Sequence, residues 1–497
     1  MQGTAFLYYM NTLKFILVWI FGGILKFFKY LLYAHILKKK TGSKILQPKE
    51  IKGFLSSANK GLLIDGDKNR LSVTESYQNV CFVARVGAGK TTKYIIPNVL
   101  DKAKQKVSMV VNDPKGEVCD LTAGYLEAKG YEIVAYRPND LSKSNLFNPL
   151  SECKNQIEID QVAETLVWAG NPSDKDPFWN NGASRILSVL LKCLSFSDPQ
   201  NFNLPNLYYL LQNFGAMGEG LDNWIVQNCW DSSCPDDKYL LNEWKACLTG
   251  NPETVQSFVG VCLTSLKALS NRELQGFLST SDYSLKDFRK QKTAIFFITP
   301  PEHQQYYSFI TSLFFRSVFN ECMRDEHLRG GSLPVYILYD EFGNSYINDF
   351  VSVANTIRGY RVSLSIVLQS ISQLAMKYGK DTAEAIQGAL NTNICLSSSD
   401  PVTAKFFSEL SGKVRERHTR DIKRAVDDYR EYNLFNTDDV RTMGIDEALI
   451  ISKNRYPVRL NIQPYFENRI FKKAVQFPKP DFSQDKRKIN LSFEKLY

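Results

Sequence analysis

The feature that most constrains this chain is a glycine-rich turn at residues 83–92, which read VARVGAGKTT. An apolar run precedes the turn and a helical pattern follows it, so the layout is that of a strand, a tight loop and a helix start. Gly87 and Gly89 permit the positive φ angles through which consecutive backbone N–H groups close around an anionic phosphate. Lys90 is placed to reach β- and γ-phosphate oxygens, and the Thr91 hydroxyl to bind Mg²⁺.

The turn departs from the strict pattern GxxxxGK[ST] at its first position, where Ala84 replaces glycine. A methyl group fits there if the backbone has a negative φ, so we expect an intact loop. The alternative is an accidental glycine-rich turn before a helix. The expected phosphate-binding residues are those of the turn itself: Gly87, Ala88, Gly89, Lys90, Thr91 and Thr92.

A second motif supports a nucleotide site. Residues 335–339 are apolar and β-prone, as in a buried parallel strand, and Asp340 and Glu341 follow directly. At that strand end, Asp340 is expected to hold Mg²⁺ through water, and Glu341 to polarise the water that attacks the γ-phosphate. The pair alone would also fit a helix cap or a solvated turn. Together with Lys90 and Thr91, it predicts a site for ATP and Mg²⁺.

Composition argues against several other classes. The chain has 497 residues with 44% hydrophobic content, enough for two or more domains with large cores, so disorder is not the default. The ten cysteines contain no CxxC pair, which favours reduced thiols over a disulfide scaffold. The four histidines lie far apart in sequence, so a structural zinc site is not predicted.

The basic charge is concentrated at the N-terminus. The formal net charge is +9, and residues 1–60 contain ten lysines and a single acid, so the rest of the chain balances to zero. Residues 5–37 are mostly aromatic and aliphatic, interrupted by Lys14, Lys26 and Lys29. This segment either spans a membrane with snorkelling lysines, lies in the interface as an amphipathic helix, or docks on a soluble partner. In both membrane interpretations, the lysines place the body of the protein on the cytoplasmic side.

Short β-like runs alternate with helical stretches from residue 72 onward, which is the rhythm of a parallel sheet. The rhythm breaks at residues 176–287, where helical periods prevail. Lys90 and Asp340 lie 250 positions apart. An inserted helical domain of ~100 residues explains that separation, so an α/β core with a helical insertion is predicted.

Two segments near the C-terminus are polar. Residues 413–430 are dense in charges of both signs and are predicted to form a solvated helix face. Residues 479–497 are polar with isolated aromatics, and they are predicted to be mobile until they bind a partner.

From about residue 79 onward, the motifs resemble those of the type IV secretion coupling proteins, the TraG/TraD-type conjugation ATPases. Beyond the phosphate turn, the resemblance is carried by Tyr94–Asn98, Asn112–Glu117, Phe147–Leu150, Asp176–Trp179, Asp340–Phe342, Arg358–Tyr360 and Leu368–Leu374. It implies an α/β fold with a RecA-like P-loop NTPase domain, an inserted all-α domain and an N-terminal hydrophobic membrane-associated segment. It also implies a ring, expected to be hexameric. Members usually carry a clear pair of membrane-spanning helices, whereas this chain has one poor candidate.

The resemblance also implies roles for single residues. Asp340 orients the metal, and Glu341 is the catalytic carboxylate. Gln369, at the end of the strand beside Asp340, resembles the sensor of the γ-phosphate. Arg358 is either a finger that reaches into a neighbouring subunit's site or a surface arginine at a helix end. Three further residues lie on the nucleotide side of the sheet without a derived role: Asp113, Lys115 and Glu117.

These patterns predict five parts of the chain. They are a membrane-associated segment at 1–45, a RecA-like motor domain at 46–177 and 288–478, an inserted all-α domain at 178–287, and a polar tail at 479–497.

The expected function is that of an ATP-driven coupling protein on the cytoplasmic face of the bacterial inner membrane. As a homo-hexamer, it would recruit relaxase-bound single-stranded DNA or a secreted protein and feed this substrate to type IV secretion channel components. Three alternatives use the same motor parts. They are a coupling protein for protein effectors only, a DNA translocase for packaging or segregation, and a membrane receptor with a degenerate ATPase.

Overall fold

The structure, a computed structural model, describes residues 20–28, 40–170, 177–230, 238–328, 330–397, 400–418, 428–483 and 491–496. Of the predicted segment 1–45, the described residues include only 20–28, which are helical and exposed, and 40–45. Within the described ranges, no helix is both long enough and apolar enough to cross a bilayer. Most of the segment predicted to contact a membrane therefore lies outside the described residues.

The described strands form one large sheet and one small sheet. The strands are β1 (Lys40–Gly42), β2 (Val80–Val83), β3 (Ser108–Asn112), β4 (Glu132–Tyr136), β5 (Thr293–Phe297), β6 (Val335–Tyr339), β7 (Val362–Leu368), β8 (Thr392–Leu396), β9 (Lys413–His418), β10 (Asp428–Asn433), β11 (Glu447–Ser452) and β12 (Val458–Asn461). The large sheet has nine strands in the order β12-β11-β8-β2-β7-β6-β3-β5-β4. All of its neighbours pair in parallel except β8-β11 and β11-β12.

The central strands of the large sheet are buried on both faces, which suits apolar runs such as β2 and β6. In β6, Ile337 and Tyr339 face one hydrophobic cluster, which includes the helices of the insertion. Tyr336 and Leu338 face a second cluster, built around the helices that follow β2 and β3. Residues 335–339 form a strand with the predicted bounds, and residues 362–368 form the neighbouring strand β7.

Helices cover both faces of the sheet and fill the insertion. From residue 40 onward, the described α-helices are α1 (Pro48–Ile51), α2 (Val73–Ser76), α3 (Ile96–Lys102), α4 (Glu117–Ala128), α5 (Gln156–Gly170), α6 (Pro177–Leu194), α7 (Leu204–Gln212), α8 (Asp222–Asn228), α9 (Tyr239–Cys247), α10 (Pro252–Ser265), α11 (Arg272–Phe277), α12 (Gln304–Cys322), α13 (Phe350–Thr356), α14 (Ser372–Tyr378), α15 (Lys380–Ala389), α16 (Pro401–Leu410), α17 (Thr437–Arg441) and α18 (Arg469–Ala474).

The chain leaves the sheet after β4 and returns at β5, its parallel neighbour. The described residues of this excursion form helices and no strand, as the sequence predicts for 178–287. Helix α5 packs against α6 and α12, although it precedes the predicted domain border. The border itself stays a prediction.

The charge-dense segment 413–430 was expected to be a helix face, and this expectation is wrong. Its described residues belong to strands β9 and β10, which pair antiparallel, and β1 pairs with the other edge of β9. Val414 is buried, while Arg415 forms an ion pair with Glu431 directly across the hairpin. Alternation of buried and charged side chains suits a strand, and the cross-strand charges stabilise it.

The C-terminal tail, predicted to be mobile, is packed in the residues that the structure describes. Lys479 forms an ion pair with Asp120 of α4, and Arg137 lies over the ring of Phe482 at 5.4 Å. Residues 491–496 lie on the helices of the insertion, where Leu496 is buried. The few aromatic and aliphatic residues of the tail pack against apolar surface on two different parts of the fold.

Candidate nucleotide site

The phosphate turn has the backbone that its glycines predict. Gly87 and Gly89 have φ angles of 78° and 89°. Ala84 is fully buried and has no positive φ, and its N–H donates to the carbonyl of Leu368 at 3.1 Å. The alanine therefore extends strand β2 by one bond to β7, and its methyl group does not disturb the loop.

The helix that follows the turn begins with a wider turn of π-helix at Thr91–Ile95. Pro97 lies at the start of α3, where it lacks the N–H that a regular helix would need. Lys93 fixes this helix start by donating to the carbonyl of Ile445 at 2.7 Å and to Asp446 at 2.8 Å. The first turn is thus tied to the segment before β11 and presents its N–H groups toward the loop.

The acidic pair lies at the end of β6 and meets the phosphate turn. The Thr91 hydroxyl donates to the Asp340 carboxylate at 3.4 Å. The side chain of Asn112, at the end of the neighbouring strand β3, donates to the Asp340 carbonyl at 2.7 Å. Asp340 is only 6% exposed, and this burial raises the pKa of its carboxyl to about 6. Two elements 250 positions apart in sequence thus converge on one buried carboxylate.

Lys90 lies close enough to Asp340 and Glu341 for their charges to act on its ammonium group. Burial lowers the pKa of its ammonium, whereas the carboxylates of Asp340 and Glu341 act in the opposite direction. Among the described residues, the Lys90 ammonium has no hydrogen-bond or ion-pair partner. A desolvated cation of this kind, beside open backbone N–H groups, fits an anionic phosphate.

Two amide side chains hold the carboxylate of Glu341. Gln304 Nε2 donates to Glu341 Oε2 at 2.7 Å, and Asn344 Nδ2 donates to the same oxygen at 3.0 Å. Asn344 also donates to Gln304 Oε1 at 2.6 Å, so the three side chains form a closed set. The backbone of Glu341 has a φ of 52°, an uncommon value for a residue with a Cβ. Sequence reasoning missed Gln304 and Asn344, because neither belongs to a recognisable pattern.

Gln369 and Arg358 lie at opposite ends of β7. Gln369 follows the last residue of β7, which is the strand between β2 and β6, and so it lies at the edge where Ala84 and Asp340 emerge. Its N–H donates to Gln373 at 3.0 Å. Arg358 is exposed and precedes β7, a strand of seven residues, which puts it about 23 Å away at ~3.3 Å per residue. Arg358 therefore does not belong to the site of its own chain.

The segment 112–117, whose role could not be derived from sequence, leads into helix α4. The Asp113 carboxylate accepts a hydrogen bond from the N–H of Cys119 at 2.8 Å, within the first turn of α4. Gly116 has a φ of 72°, which allows the sharp entry into the helix. Burial raises the pKa of Asp113 to about 7. Lys115 is exposed and acts on the Lys90 ammonium as a like charge.

The residues present fit Mg²⁺ by their donor chemistry. The Thr91 hydroxyl and the Asp340 carboxylate supply the hard oxygen ligands that this ion prefers, and both lie beside the phosphate turn. Fold and site together define a class: an α/β protein with a RecA-like core and a P-loop site for a nucleoside triphosphate.

The family model described as Type IV secretory system conjugative DNA transfer matches residues 36–488. The chain belongs to this family, and the resemblance to type IV coupling proteins is confirmed. It is 22% identical over 442 residues to protein VirD4 of Rhizobium radiobacter, covering 82% of this chain and 62% of that protein. It is 20% identical over 415 residues to VirD4 of Rhizobium rhizogenes, covering 79% of this chain and 59% of that protein. The chain thus spans about 60% of the length of these relatives.

Solved structures of similar fold support the α/β class. The conjugative coupling protein TrwBdeltaN70 in complex with sulphate has a TM-score of 0.68 at 14% identity, over 85% of this chain and 94% of that one. The plasmid coupling protein TrwB in complex with ADP and Mg²⁺ has the same TM-score and identity, over 86% and 95%. The similarity shows that the fold is shared.

Proposed function

We propose that this chain is an ATP-driven coupling protein, which recruits a relaxase-bound single DNA strand or a secreted protein and feeds it to a type IV secretion channel. The observation that carries the proposal is the convergence of Lys90, Thr91, Asp340 and Glu341 on one edge of the sheet. Family membership supports the role in transfer. The TrwB complexes with ADP and Mg²⁺ and with a non-hydrolysable ATP analogue support the choice of ligands.

The chemistry is hydrolysis of a phosphoanhydride bond. Backbone N–H groups of residues 87–92 and the Lys90 ammonium bind the phosphates and offset the charge that develops on them. Mg²⁺, held by Thr91 and Asp340, supplies further charge neutralisation when bound. Glu341 orients a water molecule and takes one of its protons. The water oxygen bonds to the γ-phosphorus as the bond to the β-phosphate oxygen breaks, giving ADP and phosphate.

The proposed assembly is a ring, in which Arg358 completes the site of a neighbouring subunit. Its exposure and its place at the far end of β7 support action between subunits over action within one chain. Gln369, at the near end of the same strand, is proposed to sense the γ-phosphate. Strand β7 would then connect Gln369, which senses the nucleotide in its own subunit's site, with Arg358, which reaches into the site of the next subunit.

The proposed location is the cytoplasmic face of the bacterial inner membrane, with the segment 1–45 as the anchor. The lysine excess in residues 1–60 supports an interaction with anionic lipid headgroups. Charges in the remaining chain balance, so DNA contacts are expected on a restricted pore surface. Binding of DNA there should weaken steeply as salt concentration rises.

ATP turnover by the purified full chain, with and without single- and double-stranded DNA, tests the proposal. We expect Mg²⁺-dependent hydrolysis that DNA stimulates, and loss of at least about 100-fold in kcat for Lys90→Ala. Lys104→Ala is the matched control, because Lys104 is exposed beyond the far end of α3.

Each other outcome points to a defined alternative. No hydrolysis at concentrations that permit assembly would remove the motor function and leave a receptor with a degenerate ATPase. Hydrolysis without stimulation by DNA would favour coupling of protein effectors only. Strong stimulation by double-stranded DNA would favour a translocase for packaging or segregation.

A further inference from the structure

The C-terminal segment 491–496 occupies a groove on the helices of the insertion. Upstream, the chain is fixed to the motor side of the fold, where Phe477 packs on Tyr125 and Arg137 lies 5.4 Å over the Phe482 ring. Downstream of 484–490, which lie outside the described residues, the chain meets α7 and α8. The groove on those helices has the features of a site that recognises a peptide.

Asn206 of α7 binds the main chain of the segment at two points. Its Nδ2 donates to the carbonyl of Ser492 at 2.9 Å, and its Oδ1 accepts from the N–H of Glu494 at 2.9 Å. These two backbone groups, two residues apart, point to the same side of an extended chain. Asn206 is fully buried, and a further bond from its Nδ2 to Asn203 fixes the amide. A buried amide aimed at a main chain binds extended peptides irrespective of their side chains.

The neighbouring groups add specificity for two side chains. Trp224 of α8 is 1% exposed, and its Nε1 donates to the Glu494 carboxylate at 2.8 Å. The ring of Tyr209 lies 5.1 Å from the ring of Phe493. The groove therefore fits an aromatic side chain directly followed by a glutamate.

The groove leaves one polar atom of the tail without a hydrogen bond. The second carboxylate oxygen of Glu494, Oε1, is buried and has no hydrogen-bond partner among the described residues. A buried carboxylate oxygen without a donor weakens binding relative to a ligand that satisfies both oxygens. The tail compensates by being tethered, because a short linker gives an effective concentration on the order of millimolar.

We propose that this groove is a peptide-binding site for an extended segment with an aromatic residue followed by glutamate, and that the C-terminal tail is its resident, exchangeable ligand. A partner protein that presents the same pair would displace the tail. The proposal goes beyond the proposed motor function and needs no nucleotide, so an experiment can overturn either one without affecting the other.

Fluorescence anisotropy with a labelled synthetic peptide of residues 488–497 tests the site. The receptor is the full chain carrying Phe493→Ala and Glu494→Ala, called here the emptied receptor, because its tail loses both recognised side chains while the walls of the groove are unchanged. We expect the peptide to bind this variant at least about tenfold more tightly than the wild type, because the tethered tail competes in the wild type. Lys495→Ala is the matched control, since Lys495 is exposed, and it should behave as the wild type does.

A cycle of substitutions separates recognition from folding. Trp224→Phe, introduced into the emptied receptor, should weaken binding of the wild-type peptide by about tenfold but leave a peptide with Glu494→Ala, which has no acceptor for the indole N–H, little affected. Equal affinity of the peptide for the emptied and wild-type proteins would overturn the proposal. So would absence of binding to an emptied protein whose melting temperature is unchanged.

Discussion

Among single residues, Glu341 has the most constrained side chain of the candidate site, because Gln304 and Asn344 both donate to one oxygen of its carboxylate. The constraint places Gln304 in a positioning role for the proposed base. Both donors are neutral, so they orient the carboxylate without changing the charge of the site.

Replacement of Gln304 by glutamate changes that charge with little change of shape. In Gln304→Glu, two carboxylates would face each other and share one proton near neutral pH, so the base would be protonated over a wider range. We expect the acid limb of the kcat profile to move to higher pH by about one unit or more. Gln305→Glu is the control, because Gln305 is exposed on the same helix. An identical pH profile in both variants would contradict the positioning role.

Glu152 allows a pH-dependent test of stability away from the nucleotide. Burial raises the pKa of its carboxyl to about 7 from a usual 4.5, although Oε1 accepts a bond from the N–H of Leu285 at 3.3 Å. Between those pH values, the folded chain binds more protons than the unfolded chain, so stability falls as pH rises. Glu152→Gln keeps the acceptor and removes the titration.

We expect Glu152→Gln to raise the free energy of unfolding at pH 8 by about 2 kcal/mol and to show little gain at pH 4.5. Urea denaturation at the two pH values measures the difference. Glu127→Gln is the control, because Glu127 is exposed on α4. A gain of equal size at both pH values would show that the burial of charge is not its cause.

At the scale of elements, a pair of helical glycines tests the packing of the tail on α4. A Cβ at Gly124 would overlap the Pro478 carbonyl oxygen, whereas a Cβ at Gly388 of α15 would meet nothing within 4 Å. Gly388→Ala should stabilise the chain by about 0.5–1 kcal/mol through helix propensity. Gly124→Ala should destabilise it by about 1–3 kcal/mol and expose residues 475–483 to proteolysis. Equal effects of the two substitutions would show that the tail is not held on α4.

Central strands of the large sheet could be predicted from sequence because most of their residues are apolar and β-prone. Val335–Tyr339 is buried on both faces, so continuous hydrophobicity gives its bounds, whereas Val362–Leu368 is equally buried but includes Ser363 and Ser365. The phosphate turn could also be predicted from local sequence, because glycine at positions 87 and 89 by itself indicates positive φ angles.

Other features depend on residues far apart in sequence and gave no local signal. Gln304 reaches Glu341 only because β5 and β6 flank β3 in the sheet. The sequences of β9 and β10 resemble a polar helix until their pairing with each other and with β1 is known. The tail resembles a disordered segment because its partners, Asn206 and Trp224, belong to the insertion.

At the scale of the whole molecule, mixing of two inactive variants tests the ring. Lys90→Ala removes the proposed phosphate ligand, and Arg358→Ala removes the proposed finger from the opposite end of β7. If the finger acts between subunits, a Lys90 site in one variant receives Arg358 from the other. We expect an equal mixture to regain about a quarter of wild-type turnover, because one interface in four is complete.

Turnover of the mixture no higher than that of either variant alone would place Arg358 outside the neighbouring site. A mixture of Lys90→Ala with Lys90→Ala,Arg358→Ala is the control, and it should stay inactive. The test requires that subunits exchange, which a labelled subunit can report by energy transfer.

The helical insertion is attached to β4 and β5, the two strands at one edge of the large sheet. The excursion begins at the carboxyl end of β4 and finishes at the amino end of β5, and these strands are parallel neighbours. Its two attachment points therefore lie on opposite rims of the sheet. A load on the helical module would therefore act on the β4–β5 pair as a torque and twist this border of the sheet, in addition to pulling on it.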